Sequence, residues 1–467
     1  MSDTPSSVLF VTGRLAEPAL RRMLAEHELP FRVEVAVLGI TVAALMTTEW
    51  IGRRLAVPEG TDLVLLPGLV EGDLDELATR YGVRVERGPK DLRDIPQYFG
   101  RAARAPDYGA YRIEILAEIN NAPRMQRDAV LAAASYYRDS GADVIDLGMT
   151  PGLAFPGLQD TVRALVAGGF RVSIDSLDPT EIRAALDAGA EMVLSVNGAN
   201  HAVAESYAGS GVRFVVIPES PSAIDTIEPV VNALARWNVP YLIDPVLEPI
   251  GYGFMRSLER YAEIRRRYPD AAQLMGVGNI TELTAADTTG VNALLIAICE
   301  ELDVRAVLTT EVIPWARGAV KEIDVARRLM HYAVAHDTIP KHVDDRLVTV
   351  KDPRILAFAE AELRAMHAEV KDSNFRIYTD RDTITVFNAD VFVRGTDIQD
   401  IFAQLGVDEP GHAFYLGKEL AKARLAIQLG KTYRQEGTLD WGYLTPPEDA
   451  RWEHQKLTQR RKRREPP

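Results

Sequence analysis

The chain has 467 residues, 47% of them hydrophobic and 26% charged, which is the balance of a soluble globular protein with about three domains. Its 53 Lys and Arg against 67 Asp and Glu give a formal charge of -14, which disfavours nucleic acid and anionic membranes as partners. The single cysteine, Cys299, excludes an intramolecular disulfide and a CxxC metal site. The amino terminus has no basic segment followed by an apolar one, so we expect no signal peptide and a cytoplasmic protein.

Short β-branched runs alternate with helical patterns in the first part of the chain. VLFVTG (8–13) and DLVLLPG (62–68) are two of these runs, and a helical pattern follows each of them. Such alternation predicts a wound α/β domain with a small parallel sheet over residues 1–105. The Gly- and Pro-containing strand ends would lie at one sheet edge, where they could bind a ligand or simply form tight turns.

Residues 111–338 contain eight further strand–helix units, which in this length are typical of a (β/α)8 TIM barrel. The candidate strands are nearly continuous apolar runs, as expected for a parallel sheet that is buried on both faces. We predict these strands at 112–120, 143–148, 170–176, 191–197, 213–219, 240–245, 272–279 and 305–311.

Each predicted barrel strand finishes in an acid or an amide. In a TIM barrel, the carboxyl ends of all the strands meet at one mouth, and the active site lies there. Helix caps or turns could account for one or two such residues, for instance Asp146 or Glu219, but they account poorly for a ring of eight. We therefore predict a polar active-site mouth. The ring consists of Asn120, Asp146, Asp175, Asn197, Glu219, Asp244, Asn279 and Glu311.

This predicted mouth has carboxylates and amides but no nucleophile. No lysine occurs between Arg112 and Glu311, which excludes a Schiff-base mechanism, and Cys299 lies in an apolar helical stretch typical of a core. A carboxylate can accept two parallel hydrogen bonds from adjacent N–H groups. The 2-amino-4-oxo edge of a pterin offers such a pair, and asparagine amides can satisfy the remaining ring atoms.

Residues 341–450 predict a small α+β domain. Three short strands, at 376–380, 383–388 and 391–397, precede a long helical stretch over 417–435. Beyond this region, residues 451–467 include the basic run RRKRR and predict a disordered tail.

Four segments resemble motifs of the pterin-binding TIM barrels, namely the dihydropteroate synthases and the methyltetrahydrofolate:corrinoid methyltransferases. SIDSLDPTEIRAALDAGAEMV (173–193) resembles their SIDT…AGA segment, and INNAP (119–123) is similar to their first-strand motif. GADVIDLG (141–148) is similar to the second-strand GADIIDIGG, and LIDPVLEPIGYGF (242–254) is similar to the DPGIGF segment. The four segments occur in the family's order and on the corresponding predicted strands.

The resemblance implies roles for particular residues. Asp244 would bind the amino-pyrimidine edge of the pterin, Asp175 would hydrogen-bond the opposite ring, and Asn120 would help to hold Mg²⁺ and a diphosphate. These three residues form the predicted catalytic set, with Mg²⁺ as the implied cofactor. The predicted pterin contacts are Asp146, Asp175, Asn197, Asp244, Asn279 and Glu311.

The chain departs from the synthases at the last two barrel strands, where they carry SRK-type and RVHD-type sequences. Here those places read GVGNIT (276–281) and LTTEV (308–312), and GVGN looks more like the G-S-N segment of the methyltransferases. Arg124, Arg317 and Lys321 follow the relevant strands and are candidates for binding phosphate from loops.

The order of the domains, with FYLGKELAKARLAIQLGK (414–431) near the end, looks like that of large dihydropteroate-synthase-related proteins of methanogens and methylotrophs. That resemblance implies a transferase of tetrahydromethanopterin biosynthesis, with a pterin and an arylamine as small-molecule partners, and we expect a homodimer. Three alternatives remain: a methyltetrahydropterin-binding methyltransferase or C1-carrier module, a non-catalytic pterin-binding scaffold, and an unrelated TIM barrel.

Overall fold

The computed structural model describes residues 5–26, 29–41, 43–89, 92, 95–99, 108–341 and 343–445. The chain divides into two compact units. One unit comprises residues 1–105 together with 348–467, and the other comprises residues 106–347. The predicted basic tail, 451–467, lies outside the described residues.

The amino-terminal region forms a four-stranded parallel sheet with the strand order β2-β1-β3-β4, as the wound α/β prediction requires. Its central strands β1 and β3 are buried because both are continuous apolar runs. The strands are β1 (Ser7–Gly13), β2 (Arg32–Leu38), β3 (Leu63–Leu66) and β4 (Arg84–Arg87). The helices are α1 (Glu17–Glu26), α2 (Thr48–Gly52), α3 (Leu74–Tyr81) and α4 (Ile95–Tyr98).

The second unit is a closed eight-stranded parallel barrel, which confirms the predicted fold class. Its strands are β5 (Glu114–Ile119), β6 (Val144–Gly148), β7 (Val172–Asp175), β8 (Met192–Val196), β9 (Arg213–Val216), β10 (Tyr241–Ile243), β11 (Ala272–Gly276) and β12 (Ala306–Thr309). Its helices are α5 (Arg127–Ser140), α6 (Leu158–Ala167), α7 (Pro179–Asp187), α8 (Ile227–Arg236), α9 (Phe254–Arg267), α10 (Gly278–Thr281), α11 (Thr288–Glu301) and α12 (Ala319–Ala335). A 3-10 helix, His201–Tyr207, stands between β8 and β9 where the sequence pattern predicts an α-helix.

Apolar side chains fill the barrel interior below the mouth, because alternate residues of each strand point inward, and we call this set the apolar layer. On β5, Leu116 points inward, whereas Ile115 and Ala117 pack outward against the surrounding helices. The apolar layer consists of Leu116, Val144, Met192, Leu194, Val215, Leu242, Leu274 and Ala306.

The carboxy-terminal region contains the predicted three-stranded sheet, which is antiparallel with the order β13-β14-β15. The predicted last helix, over 417–435, is misplaced: α15 begins at Pro410 because the Glu409 side chain caps it, and it ends before Gly430, whose φ is 68°. The elements are α13 (Glu360–Glu369), β13 (Arg376–Thr379), β14 (Ile384–Phe387), β15 (Phe392–Gly395), α14 (Ile398–Ala403) and α15 (Pro410–Leu429). None of the helices in the described part of the chain has both the length and the apolar composition that crossing a bilayer requires.

Candidate active site

Acidic side chains lie directly above the apolar layer at the mouth of the barrel, the end where strands β5 to β12 finish. They occupy the next inward position along their strands, two residues after a member of that layer. Glu118 follows Leu116 on β5, and Asp146 follows Val144 on β6. The strand register pairs Glu118 with Asp146, and Asp146 with Ser173 on β7.

One carboxylate oxygen from each of Glu118, Asp146 and Asp175 lies within 4.8 Å of the other two. We refer to these three residues as the acid cluster. They come from the adjacent strands β5, β6 and β7. Gly148 makes room for Glu118, because a Cβ atom at this position would lie 2.3 Å from Glu118 Oε1. The sequence of β6 therefore permits a large acid on β5 to occupy the barrel interior.

Burial dominates the electrostatics of the acid cluster. It raises the pKa of Glu118 to about 7, with further contributions from the charges of Asp175 and Glu282. Burial also raises the pKa of Asp175 to about 6 and that of Asp146 well above its ordinary value. The Ser173 hydroxyl donates to Asp146 Oδ1 at 2.5 Å, whereas Oδ2 is buried without a hydrogen-bond partner among the described residues. The acid cluster therefore favours bound protons or a bound positive charge.

Asn120 positions one member of this cluster. Its amide nitrogen donates to Glu118 Oε1 at 2.8 Å, and its amide oxygen accepts a hydrogen bond from the Thr310 hydroxyl. The amide thus joins β5 to the residue that follows β12. Carboxylate oxygens are the ligands that Mg²⁺ and Ca²⁺ prefer, so the residues at this place fit a divalent cation. The role of Asn120 itself as a metal ligand stays a prediction.

Asp244 forms a second acidic centre, three strands further round the barrel from Asp175. Its Oδ1 accepts hydrogen bonds from the Tyr261 hydroxyl at 2.6 Å and from the Val246 backbone N–H at 2.8 Å. Burial raises the pKa of Asp244 to about 6, although these two donors and the charge of Arg260 oppose the shift. Val246 adopts a φ of 69°, which is unusual for a β-branched residue. The local backbone is therefore shaped around this carboxylate.

Side chains from two helices hold the loop that follows Asp244. Arg260 on α9 donates to the carbonyl oxygens of Pro245 and Val246 and forms an ion pair with Glu248 at 2.9 Å. Asn279 on α10 donates to the Leu247 carbonyl oxygen at 2.8 Å. These bonds fix the loop, so the Asp244 carboxylate is held in one orientation.

Two other predicted pterin contacts have local structural partners. Asn197 Oδ1 accepts a hydrogen bond from the Ala199 N–H at 2.9 Å, which forms a tight turn after β8. Glu311 accepts hydrogen bonds from the Val320 N–H near the start of α12 and from the Tyr136 hydroxyl. Their contacts with a pterin stay predictions.

The predicted phosphate-binding residues lie in different surroundings. Arg124 and Arg317 are exposed on the loops that follow β5 and β12, where a phosphate group has access to them. Lys321 forms an ion pair with Asp324 at 3.4 Å, and Asp324 also pairs with Arg327 and Arg328. The structure therefore places the two arginines better for phosphate binding than the lysine.

Glu118 is the site residue that the sequence reasoning missed. The prediction used only the last polar residue of each strand, which on β5 is Asn120. A usable signal was present, because Leu116, Glu118 and Asn120 are spaced by two and so share one face of the strand. A charged residue at an inward position near the carboxyl end of a barrel strand indicates a functional site.

The sequence of the chain matches three family models. Residues 120–238 match the family described as pterin binding enzyme. Residues 6–90 match a family of unknown function, DUF6513, and residues 372–436 match the family PterinBD-DUF4346.

Comparison with single proteins finds similar relatives. An uncharacterized protein of Methanocaldococcus jannaschii is 27% identical, over 92% of this chain and 98% of the relative. Two solved structures each cover 48% of this chain with a TM-score of 0.39. One is a dihydropteroate synthase of Thermus thermophilus in complex with 6HMPPP, which is 20% identical and covered over 94% of its length. The other is a dihydropteroate synthase of Coxiella burnetii in complex with pteroic acid, which is 15% identical and covered over 95% of its length. The segment that matches the pterin binding enzyme family therefore lies within the closed (β/α)8 barrel, and the central domain of this chain is similar to that family.

Proposed function

We propose that this protein is a pterin-utilising transferase that joins (7,8-dihydropterin-6-yl)methyl diphosphate to an arylamine, forming a C–N bond and releasing diphosphate. The proposed arylamine is 4-(ribofuranosyl)aminobenzene 5′-phosphate, which assigns the reaction to tetrahydromethanopterin biosynthesis. The observation that carries the proposal is the half-buried, fixed carboxylate of Asp244 in the mouth of a barrel with a pterin-binding family segment.

Recognition of the pterin follows from the way Asp244 is held. Tyr261 and Val246 both donate to Oδ1, so the carboxylate is oriented before the ligand arrives and loses little freedom on binding. The amino-pyrimidine edge of a pterin supplies N–H donors that a carboxylate accepts. Asp175, three strands away, is the proposed partner of the opposite side of the ring.

The chemistry needs no protein nucleophile. The bond between the pterin methylene carbon and the diphosphate oxygen breaks, and the electron pair leaves with diphosphate. The amine nitrogen then forms the new bond to the methylene carbon and loses one proton. Carboxylates in the partly desolvated mouth stabilise the positive charge that develops on the methylene carbon. A divalent cation, when bound, supplies positive charge near the departing diphosphate.

The direct test is incubation of the full chain with the pterin diphosphate and, separately, with p-aminobenzoate or the ribofuranosylaminobenzene phosphate. We expect a product with the mass of the pterin–arylamine conjugate, larger in amount with the second amine, together with one diphosphate per product. Asp244→Asn is the matched variant, and we expect it to lose this activity. Absence of product with both amines, under conditions in which the pterin diphosphate binds, would refute the transferase.

A second candidate is a methyl-transfer protein that binds a methylated tetrahydropterin. It is favoured by the ends of β11 and β12, where Asn279 and Thr310 stand in place of basic residues. Such a protein would transfer the methyl group to a corrinoid and would not respond to diphosphate. Loss of label from a methyl-labelled tetrahydropterin in the presence of cob(I)alamin distinguishes this candidate from the synthase.

A further inference from the structure

The acid cluster lacks a protein counter-charge. Among the described residues, no lysine or arginine forms an ion pair with Glu118, Asp146 or Asp175, and the partners of these acids are the neutral groups of Asn120 and Ser173. Three carboxylates in a buried place repel one another unless something positive binds between them. The missing charge must therefore come from solution.

The distances fit one cation. Oxygen ligands lie about 2.1–2.6 Å from Mg²⁺ or Ca²⁺, so two ligands of one ion are at most about 5 Å apart. The acid cluster offers one oxygen from each residue, all within 4.8 Å. Asp146 supplies a second, independent observation, because its side chain is fully buried and its Oδ2 has no partner among the described residues. A buried carboxylate oxygen without a donor is costly unless a ligand satisfies it.

Neighbouring residues adapt the site to this geometry. Gly148 leaves the space that the Glu118 carboxylate occupies, and the Asn120 amide fixes the direction of that carboxylate through its N–H group. The Asn120 oxygen is already engaged by Thr310. Asn120 therefore has the contacts of a residue that orients a ligand rather than of the ligand itself.

We propose that Glu118, Asp146 and Asp175 bind one divalent, oxygen-preferring cation, and that Asn120 positions Glu118 from outside the coordination sphere. The proposal deepens the proposed function by assigning its metal to particular carboxylates, yet cation binding can be measured without a pterin. Asp175 has two oxygens, so it can bind the cation with one and face a ring with the other.

The test is titration of the metal-free full chain with Mn²⁺ alone at about pH 7.5, followed by electron paramagnetic resonance of free Mn²⁺. We expect one saturable site per chain, and Glu118→Gln should weaken it by about tenfold or more. Glu228→Gln removes an exposed acid on helix α8, outside the predicted mouth, and should leave the affinity unchanged. Absence of saturable binding in the native chain, or equal affinity in native and Glu118→Gln proteins, would overturn the proposal.

Three more variants separate the proposed metal site from misfolding, from a ligand role of Asn120 and from the pterin site. Gly148→Ala retains all three acids but displaces Glu118, so Mn²⁺ binding should weaken in this variant as well, even if Glu118→Gln fails to fold. Asn120→Ala should weaken binding less than Glu118→Gln does, and a larger loss would make Asn120 a ligand and contradict its positioning role. Asp244→Asn should bind Mn²⁺ normally, which separates failure of the metal site from failure of the pterin site.

Discussion

Glutamate side chains have opposite electrostatic surroundings at the two ends of the barrel. Glu114 and Glu118 lie on the same face of β5, one at its start and one near the mouth. Glu114 accepts hydrogen bonds from Arg171 at 2.8 Å and Arg213 at 2.6 Å, and although burial would raise its pKa, these arginines hold the pKa below its ordinary value. Glu118 has no arginine partner among the described residues, and its pKa rises to about 7.

Asp324 on α12, whose partner Arg327 donates to the Ile113 carbonyl oxygen just before β5, behaves like Glu114. Asp324 pairs with Arg327 and Arg328, and these arginines hold its pKa below the ordinary value in spite of burial. At this end of the barrel, charge is neutralised by the protein itself, so the acids contribute to stability. Among the described residues, the acid cluster at the mouth lacks such partners and can neutralise a ligand. The contrast separates structural carboxylates from those available for binding.

The largest expected effect is on pterin binding at the barrel mouth. Asp244→Ala should weaken dihydropterin binding by about 2–5 kcal/mol, because it removes a charged partner of the ring. It should also lower the free energy of unfolding by about 1–3 kcal/mol, because the buried Tyr261 hydroxyl and the Val246 N–H lose their acceptor. Isothermal titration calorimetry and thermal unfolding measure the two quantities. Unchanged pterin affinity in this variant would refute the assignment of Asp244.

The next largest expected effect is on stability and concerns Glu114, at the start of β5. Glu114→Gln should lower the free energy of unfolding by about 2 kcal/mol, because Arg171 and Arg213 lose their charged acceptor in a half-buried place. Urea unfolding at neutral pH measures this change. If the variant proves as stable as the native chain, the arginine pairing does not stabilise the barrel.

The smallest expected effect is a rise, not a fall, in the free energy of unfolding. Between about pH 4.5 and 7, native Glu118 binds more protons than it does in the unfolded chain, so its contribution to stability falls as pH rises through this range. In metal-free solution at about pH 8, Glu118→Gln should therefore raise the free energy of unfolding by about 1 kcal/mol, with a smaller gain near pH 5. Urea unfolding at both pH values checks this, and destabilisation at pH 8 would contradict the comparison.

The fold was largely predictable because it depends on patterns that repeat along the chain. Eight apolar runs separated by helical patterns predict a parallel barrel, and the position of Asp244 at the end of β10 follows from this pattern. Asp146 was expected at a strand end, but it lies in the middle of β6. It belongs to the site because its side chain points into the barrel, where it accepts a hydrogen bond from Ser173.

The partners of the site residues were not predictable in the same way. Asn197 and Glu311 are polar residues near strand ends, as expected, but they accept hydrogen bonds from a turn and from a helix start. Glu118 enters the site only because Gly148, on the neighbouring strand, leaves space for it. Such contacts depend on register and side-chain direction between distant segments, which a linear pattern does not contain.

The most direct test of the central claim is a crystal structure of the full chain grown with 7,8-dihydropterin-6-methanol. We predict the ring in the barrel mouth, with an N–H group of its amino-pyrimidine edge about 3 Å from an oxygen of Asp244. A ring bound elsewhere on the chain, with the mouth left to solvent, would contradict the account.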